Sequence, residues 1–101
     1  MLRRSAIAGQ QAAWQLYMLR CGDGSLYLGT TTDLKRRLNE HAAGKGGAYT
    51  RSRLPVALVY RESYPDRASA QRREAALKGL TRREKLALLA RRTPRATARA
   101  G

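Results

Sequence analysis

Two runs of strand-forming residues, WQLYMLR at 14–20 and LYLG at 26–29, are separated by CGDGS, and this arrangement limits the fold more than any other feature of the chain. Trp, Tyr, Leu and Met suit a pleated, half-buried surface, whereas Gly22, Asp23 and Gly24 supply the backbone freedom and local hydrogen bonding of a tight turn. The pattern predicts a β-hairpin. If the strands pair about Asp23, residues of odd number on both strands share one face, and Tyr17 and Tyr27 lie on the same side, a register apart.

A helix follows the hairpin. Thr31, Thr32 and Asp33 offer N-cap oxygens, and the acid suits the positive end of the helix dipole. Leu34 and Leu38, four apart, give an apolar stripe, and Gly44 is placed to stop the helix. Residues 44–55, GKGGAYTRSRLP, have no period and read as a loop, after which VALVYRESY, residues 56–64, is a third strand entered past Pro55. Asp66 caps a second helix, DRASAQRREAALK, which Gly79 ends. Thr81 and Glu84 then form a T-x-x-E capping box opening a third helix whose apolar residues are Leu86, Leu88 and Leu89. The expected fold is α+β: a small three-stranded antiparallel sheet flanked by three helices, in the order ββαβαα. Residues 1–13 show no period and read as an N-terminal extension, 14–91 as the domain, and 92–101 as a basic tail, disordered from about Thr93.

With 101 residues, 43% of them hydrophobic, the chain can build one core and one small domain. Its formal net charge of +14 attracts polyanions, with nucleic acid foremost. The charge is uneven. Lys35, Arg36, Arg37, Lys45, Arg51 and Arg53 face only Asp33 and Glu40 within residues 31–54, and Arg82, Arg83, Lys85, Arg91 and Arg92 face only Glu84 within 81–92, while the strands are near neutral. The field therefore lies on the helices and the glycine loop, as suits a protein that follows a phosphate backbone. No apolar run approaches the roughly 20 residues of a membrane span, and Gln10 and Gln11 interrupt the apolar start, so the expectation is a cytoplasmic protein without a membrane partner. Cys21 and His41 are the only residues of their kinds, which excludes an internal disulfide and a zinc site built from Cys and His alone, and points any metal to oxygen ligands.

Gln15-Leu16-Tyr17 in the first strand and Tyr27-Leu28-Gly29 in the second are followed by DLKRRLNEH and QRREAALK, and together they resemble the GIY-YIG nuclease superfamily. Both tyrosines and the second glycine match, and Gln15 stands where the first motif has glycine. Arg37, the last basic residue before Leu38, His41 one turn on, and Glu74 on the second helix complete the pattern. The resemblance covers about residues 14–91 and is specifically to the small stand-alone bacterial single-domain members. It implies a metal-dependent endonuclease that hydrolyses phosphodiester bonds in DNA, structure- rather than sequence-selective, acting on branched, nicked or single-stranded substrates in a DNA-repair setting. No targeting domain accompanies the core, so a protein partner supplying targeting is also implied.

Of the implied catalytic residues Tyr17, Tyr27, Arg37, His41 and Glu74, the last would hold one Mg²⁺ or Mn²⁺, since magnesium takes few protein ligands and fills its octahedron with water and substrate oxygen. The competing reading of Glu74 is an i, i+4 ion pair with Lys78. Arg37 would clamp a phosphate through its planar guanidinium, leaving Arg36 to Glu40. One tyrosine would orient or deprotonate water and the other hydrogen-bond the phosphate or nucleophile; a phenol of pKa near 10 needs the metal and Arg37 to lower it, or a metal-bound hydroxide to take its place. His41 would shuttle a proton or hold Tyr17. Lys35, Lys45, Arg51 and Arg53 would contact phosphates, with Tyr49 and Thr50 adding stacking or hydrogen bonds. The alternative is a non-catalytic DNA- or RNA-binding module on the same fold, which the charge fits equally well.

Overall fold

The computed structural model describes the backbone of residues 13–100 and the side chains of 13–91. Strand β1 (Trp14–Arg20) lies mid-sheet because both its faces are apolar: Leu16, Tyr17, Met18 and Leu19 are each at most 1% exposed. Strands β2 (Leu26–Thr31) and β3 (Ala57–Tyr64) pair antiparallel on either side of it, giving the order β2-β1-β3. Tyr17 lies opposite Gly29 and Leu19 opposite Tyr27, so the hairpin does pair about Asp23 and its odd residues share a face. Gly24 takes the left-handed conformation the turn needs, at φ 86°. Gly22 N–H donates to the Arg53 carbonyl and the Arg53 side chain donates to Asp23 at 3.1 Å, which latches the turn onto the loop from residues 44–55.

Helix α1 (Leu34–Ala42) starts where Asp33 accepts from Arg36 N–H at 3.1 Å, and stops before Gly44 at φ 80°. Helix α3 (Arg67–Lys78) is capped by Asp66, which accepts from Ser69 N–H at 2.7 Å, and the reciprocal Thr81 and Glu84 bonds open α4 (Arg82–Ala100). These elements follow the expected order ββαβαα. The glycine segment differs from a plain loop: Ala48–Arg51 forms one helical turn, α2, too short to show a period. The basic tail expected from about Thr93 falls where the backbone of α4 runs on to Ala100, its side chains outside the described residues. The expected N-terminal extension lies outside the described residues except for Ala13.

The sheet separates a packing face from a chemical one. Leu16, Met18, Leu28 and Tyr60 point to one side and form the core with Leu77 of α3 and Leu88 of α4, each such burial contributing about 1.5–3 kcal/mol. Tyr17 points to the other. A carboxylate locks β3 to α3: Glu62 accepts from the Tyr60 and Tyr64 hydroxyls and from Arg73 Nε and Nη2 at 3.0 and 3.1 Å. Burial works against the Glu62 charge, but Arg73 and the two tyrosines outweigh it and hold the acid below its usual range, while Tyr64 is pushed up to about 12 by burial and by that charge. Glu62→Ala is expected to cost about 2 kcal/mol, less than a fully buried pair because Arg73 can return to water. Urea unfolding would measure it, and an unchanged midpoint would refute the structural role.

Candidate active site

The glycine of the second motif is required by a close approach. Tyr17 lies across Gly29, where an added Cβ would stand 2.6 Å from the phenolic oxygen. That oxygen meets His41 Nε2 at 2.9 Å, and His41 Nδ1 meets Thr50 Oγ1, also at 2.9 Å. The three side chains form an inner row, with Tyr17, His41 and Thr50 at 1%, 0% and 1% exposure. Gly46 closes it, since a Cβ there would reach within 2.1 Å of His41 Nδ1. Tyr27 packs beside them, its ring centroid 6.4 Å from that of Tyr17 and 5.4 Å from that of His41.

Arg37 spans from this row to the surface. Its Nη1 donates to Glu40 at 2.9 Å and its Nη2 to the Gly46 carbonyl at 2.8 Å, and its charge is felt by the Tyr17 hydroxyl. The expected pair of Glu40 with Arg36 forms, and Glu40 serves Arg37 as well. It holds both, accepting from Arg36 Nη1 at 2.7 Å, because positions three and four apart lie on one side of a helix. At Tyr17 the charge of Arg37 acts in the expected downward direction, but burial outweighs it and raises the pKa, so without a metal the group stays a phenol. Burial, followed by the charge of Arg37, lowers His41 below 6.5 and keeps the imidazole neutral.

The His41 shift has a consequence for stability. With the folded-state pKa depressed, the unfolded chain binds the proton more readily, so this contribution is complete above about pH 6.5 and is lost as pH falls from there through the folded value. Urea unfolding between neutral pH and the top of the carboxylate range should show stability falling with acidity in the natural chain and not in His41→Gln. Parallel curves for the two would contradict it.

Glu74 reaches the site from α3. It lines a hollow of about 290 Å³ with Leu26, Tyr27, Leu28, Tyr49, Lys78 and Lys85, and its charge contributes to raising Tyr17. The ion pair with Lys78 is present at 3.0 Å, with the carboxylate side chain 18% exposed. Among the described residues no three His, Cys, Asp or Glu side chains gather that could hold a metal ion. One carboxylate beside an open hollow fits a hard cation completed by water and phosphate oxygens, and does not fit a zinc cage. The structure thus brings Tyr17, Tyr27, Arg37, His41 and Glu74 to one edge of the sheet.

The expected nucleic-acid contacts fall into two groups. Lys35, Lys45 and Arg51 are exposed. Thr50 is a correction: it is buried against His41 and cannot meet a phosphate from there. Arg53 is occupied by Asp23 and by the Tyr49 carbonyl, and its guanidinium covers the Tyr49 ring at 3.8 Å. Tyr27 stacks on Tyr49 with ring centroids 5.7 Å apart, so Tyr49, although 39% exposed, has aromatic and guanidinium neighbours rather than a free stacking surface. Sequence reasoning missed Lys85 and Gly46, and saw Lys78 only as a structural partner. Lys85 lines the hollow only because α4 packs beside α3, a placement no local spacing reveals.

The model of the GIY-YIG catalytic domain matches residues 13–87. The chain is similar to a UPF0213 protein of Streptococcus sanguinis, 53% identical over 80% of this chain and 93% of the relative. It is similar also to a UPF0213 protein of Xanthomonas axonopodis pv. citri, 53% identical over 75% of this chain and 74% of the relative. Two solution NMR structures share the fold: a UPF0213 protein from Bacillus halodurans, 44% identical with a TM-score of 0.52, and a protein from E. faecalis, 42% identical with a TM-score of 0.56. Each alignment covers 78% of this chain and 84% of the solved one.

Proposed function

The chain belongs to the GIY-YIG family, a nuclease family, and from that premise we propose that it is a metal-dependent endonuclease hydrolysing phosphodiester bonds in DNA, selective for structure rather than sequence. The observation that carries this reading is the convergence of Tyr17, Tyr27, Arg37, His41 and Glu74 beside a hollow flanked by Lys78 and Lys85. A binding module has no need of that set.

Hydrolysis needs an aligned nucleophile and stabilisation of the charge that develops on phosphoryl oxygens. The guanidinium of Arg37, half-exposed and held in place by Glu40 and the Gly46 carbonyl, presents fixed donors to those oxygens. Tyr27 lines the hollow and orients the attacking water, while Tyr17, buried and protonated, is held by His41 behind it. Lys78 and Lys85 draw the phosphate backbone toward the hollow. Glu74 would hold one Mg²⁺ or Mn²⁺, which supplies Lewis-acid polarisation and a more acidic water. The Lys78 pair engages Glu74 Oε2 at 3.0 Å, so Glu74 would either share its carboxylate between the ion and that ammonium or release Lys78 to phosphate.

A non-catalytic nucleic-acid module is the second reading, favoured by the same Glu74–Lys78 pair, which satisfies the carboxylate without a metal. Branched, nicked or single-stranded DNA, a targeting partner, a repair role and a cytoplasmic location belong to the proposal; among the described residues no helix is long and apolar enough to cross a membrane. The test is a panel of duplex, nicked, flapped, branched and single-stranded DNA, with RNA, incubated with Mg²⁺ or Mn²⁺. Nicking with preference among DNA structures is expected, together with binding whose logarithm falls linearly with the logarithm of salt concentration. Salt-sensitive binding without cleavage of any substrate would select the second reading, and salt-insensitive binding would count against both.

A further inference from the structure

The inner row Tyr17–His41–Thr50 contains a buried imidazole bonded at both ring nitrogens, and the hydrogen positions follow from what its neighbours can do. A neutral imidazole has one N–H and one bare nitrogen, and the bond at one nitrogen determines the state of the other. The buried Tyr17 hydroxyl has one proton to place, and the guanidinium of Arg37, bonded to Glu40 and the Gly46 carbonyl, only donates and cannot receive it. Tyr17 is 1% exposed, and His41 Nε2 at 2.9 Å is the acceptor beside it. Nε2 must then be bare, the ring hydrogen lies on Nδ1, and Nδ1 donates to Thr50 Oγ1 at 2.9 Å. The opposite assignment would point Nε2–H at the phenol and leave a buried phenolic proton without that acceptor, a costly arrangement.

We infer that Thr50 is a positioning residue of the site: by accepting from Nδ1 it fixes His41 in the tautomer whose bare Nε2 takes the Tyr17 proton, and so leaves the Tyr17 oxygen free to accept. The groups around the row are consistent with this polarity. Arg37 and Glu40 approach from α1, Tyr27 from β2 and Glu74 from α3, and the charge of Arg37 favours the neutral imidazole. Gly46 contributes closeness rather than a side chain, since its backbone passes the imidazole where a Cβ would reach 2.1 Å from Nδ1. The helical turn α2 is what delivers Thr50 to this position. Nuclease activity enters only in assigning Arg37 its phosphate, so the tautomer itself can be examined in the absence of DNA.

His41 is the only histidine of the chain, so long-range proton–nitrogen NMR of the uniformly labelled 101-residue chain contains a single pair of imidazole nitrogens. The expected spectrum at neutral pH has a protonated Nδ1 and a bare Nε2. Thr50→Val, nearly isosteric but without an acceptor, should shift the ring toward the Nε2–H tautomer and lower kcat for DNA nicking about 100-fold, the lower end of what a correctly protonated side chain contributes, with KM unchanged. Thr50→Ser should restore both. A bare Nδ1 in the natural protein, or an unaltered tautomer in Thr50→Val, would overturn the inference. If the valine variant does not fold, the natural and serine spectra decide it by the same nitrogen assignment. Failure of the natural protein to nick DNA would remove the nuclease reading and leave the spectrum to decide the role of Thr50.

Discussion

Glu74→Gln is expected to slow DNA nicking on the order of 10³-fold, with DNA binding and folding retained. The amide keeps the shape of the side chain but loses the charge, and a carboxylate oxygen is the hard ligand a small divalent ion requires. Loss of the Lewis acid is worth several kcal/mol of transition-state stabilisation, and about 4 kcal/mol corresponds to that factor. Stability should hardly change, because the interaction removed is an i, i+4 pair with Lys78, whose side chain is 59% exposed, and such pairs contribute a few tenths of a kcal/mol. The measurements are initial rates of nicking with Mg²⁺ or Mn²⁺, Mn²⁺ affinity by paramagnetic resonance, and urea unfolding. Natural-level nicking or Mn²⁺ affinity in Glu74→Gln would remove Glu74 from the metal role.

Gly46→Ala should be the most damaging single methyl addition at the site, destabilising the protein by about 3 kcal/mol, the upper end of the overpacking range. The added carbon would stand 2.1 Å from His41 Nδ1 and 2.6 Å from its Cγ. His41 cannot turn aside cheaply, being fully buried and bonded at both nitrogens. Moving the backbone instead would displace the Gly46 carbonyl that accepts from Arg37 at 2.8 Å. Either response disturbs groups proposed to act on DNA, so nicking should fall along with the urea midpoint. An alanine variant of natural stability would show that the crossing segment relaxes freely and that the close approach is not needed.

What could be read from the sequence was what nearest neighbours decide. Asp33, Asp66 and the Thr81–Glu84 box announce helix starts because a cap needs only three consecutive backbone N–H groups, and the turn around Asp23 determines the register that pairs Tyr17 with Gly29. The rest depends on long-range packing. Thr50 read as a surface residue because one helical turn carries no period, and only its approach to His41 shows why it is buried. Glu40 was assigned to Arg36 because spacing alone cannot rank i+3 against i+4. For Tyr17, sequence shows the nearby cation that lowers its pKa but not the burial that outweighs it. Lys85 required the packing of two helices.

The bond from Gly22 N–H to the Arg53 carbonyl, with the Arg53–Asp23 pair beside it, joins segments about thirty residues apart in the chain. A Cβ at Gly22 would lie 2.6 Å from the Leu54 carbonyl oxygen, so the two backbones are in direct contact. The turn that launches the Tyr27 strand and the segment that carries Thr50 therefore open as one cooperative unit, and neither can fray alone without breaking the shared contact. Hydrogen exchange at the Gly22 amide is consequently a gauge of the whole assembly: its protection factor reports how often the two halves of the site part company.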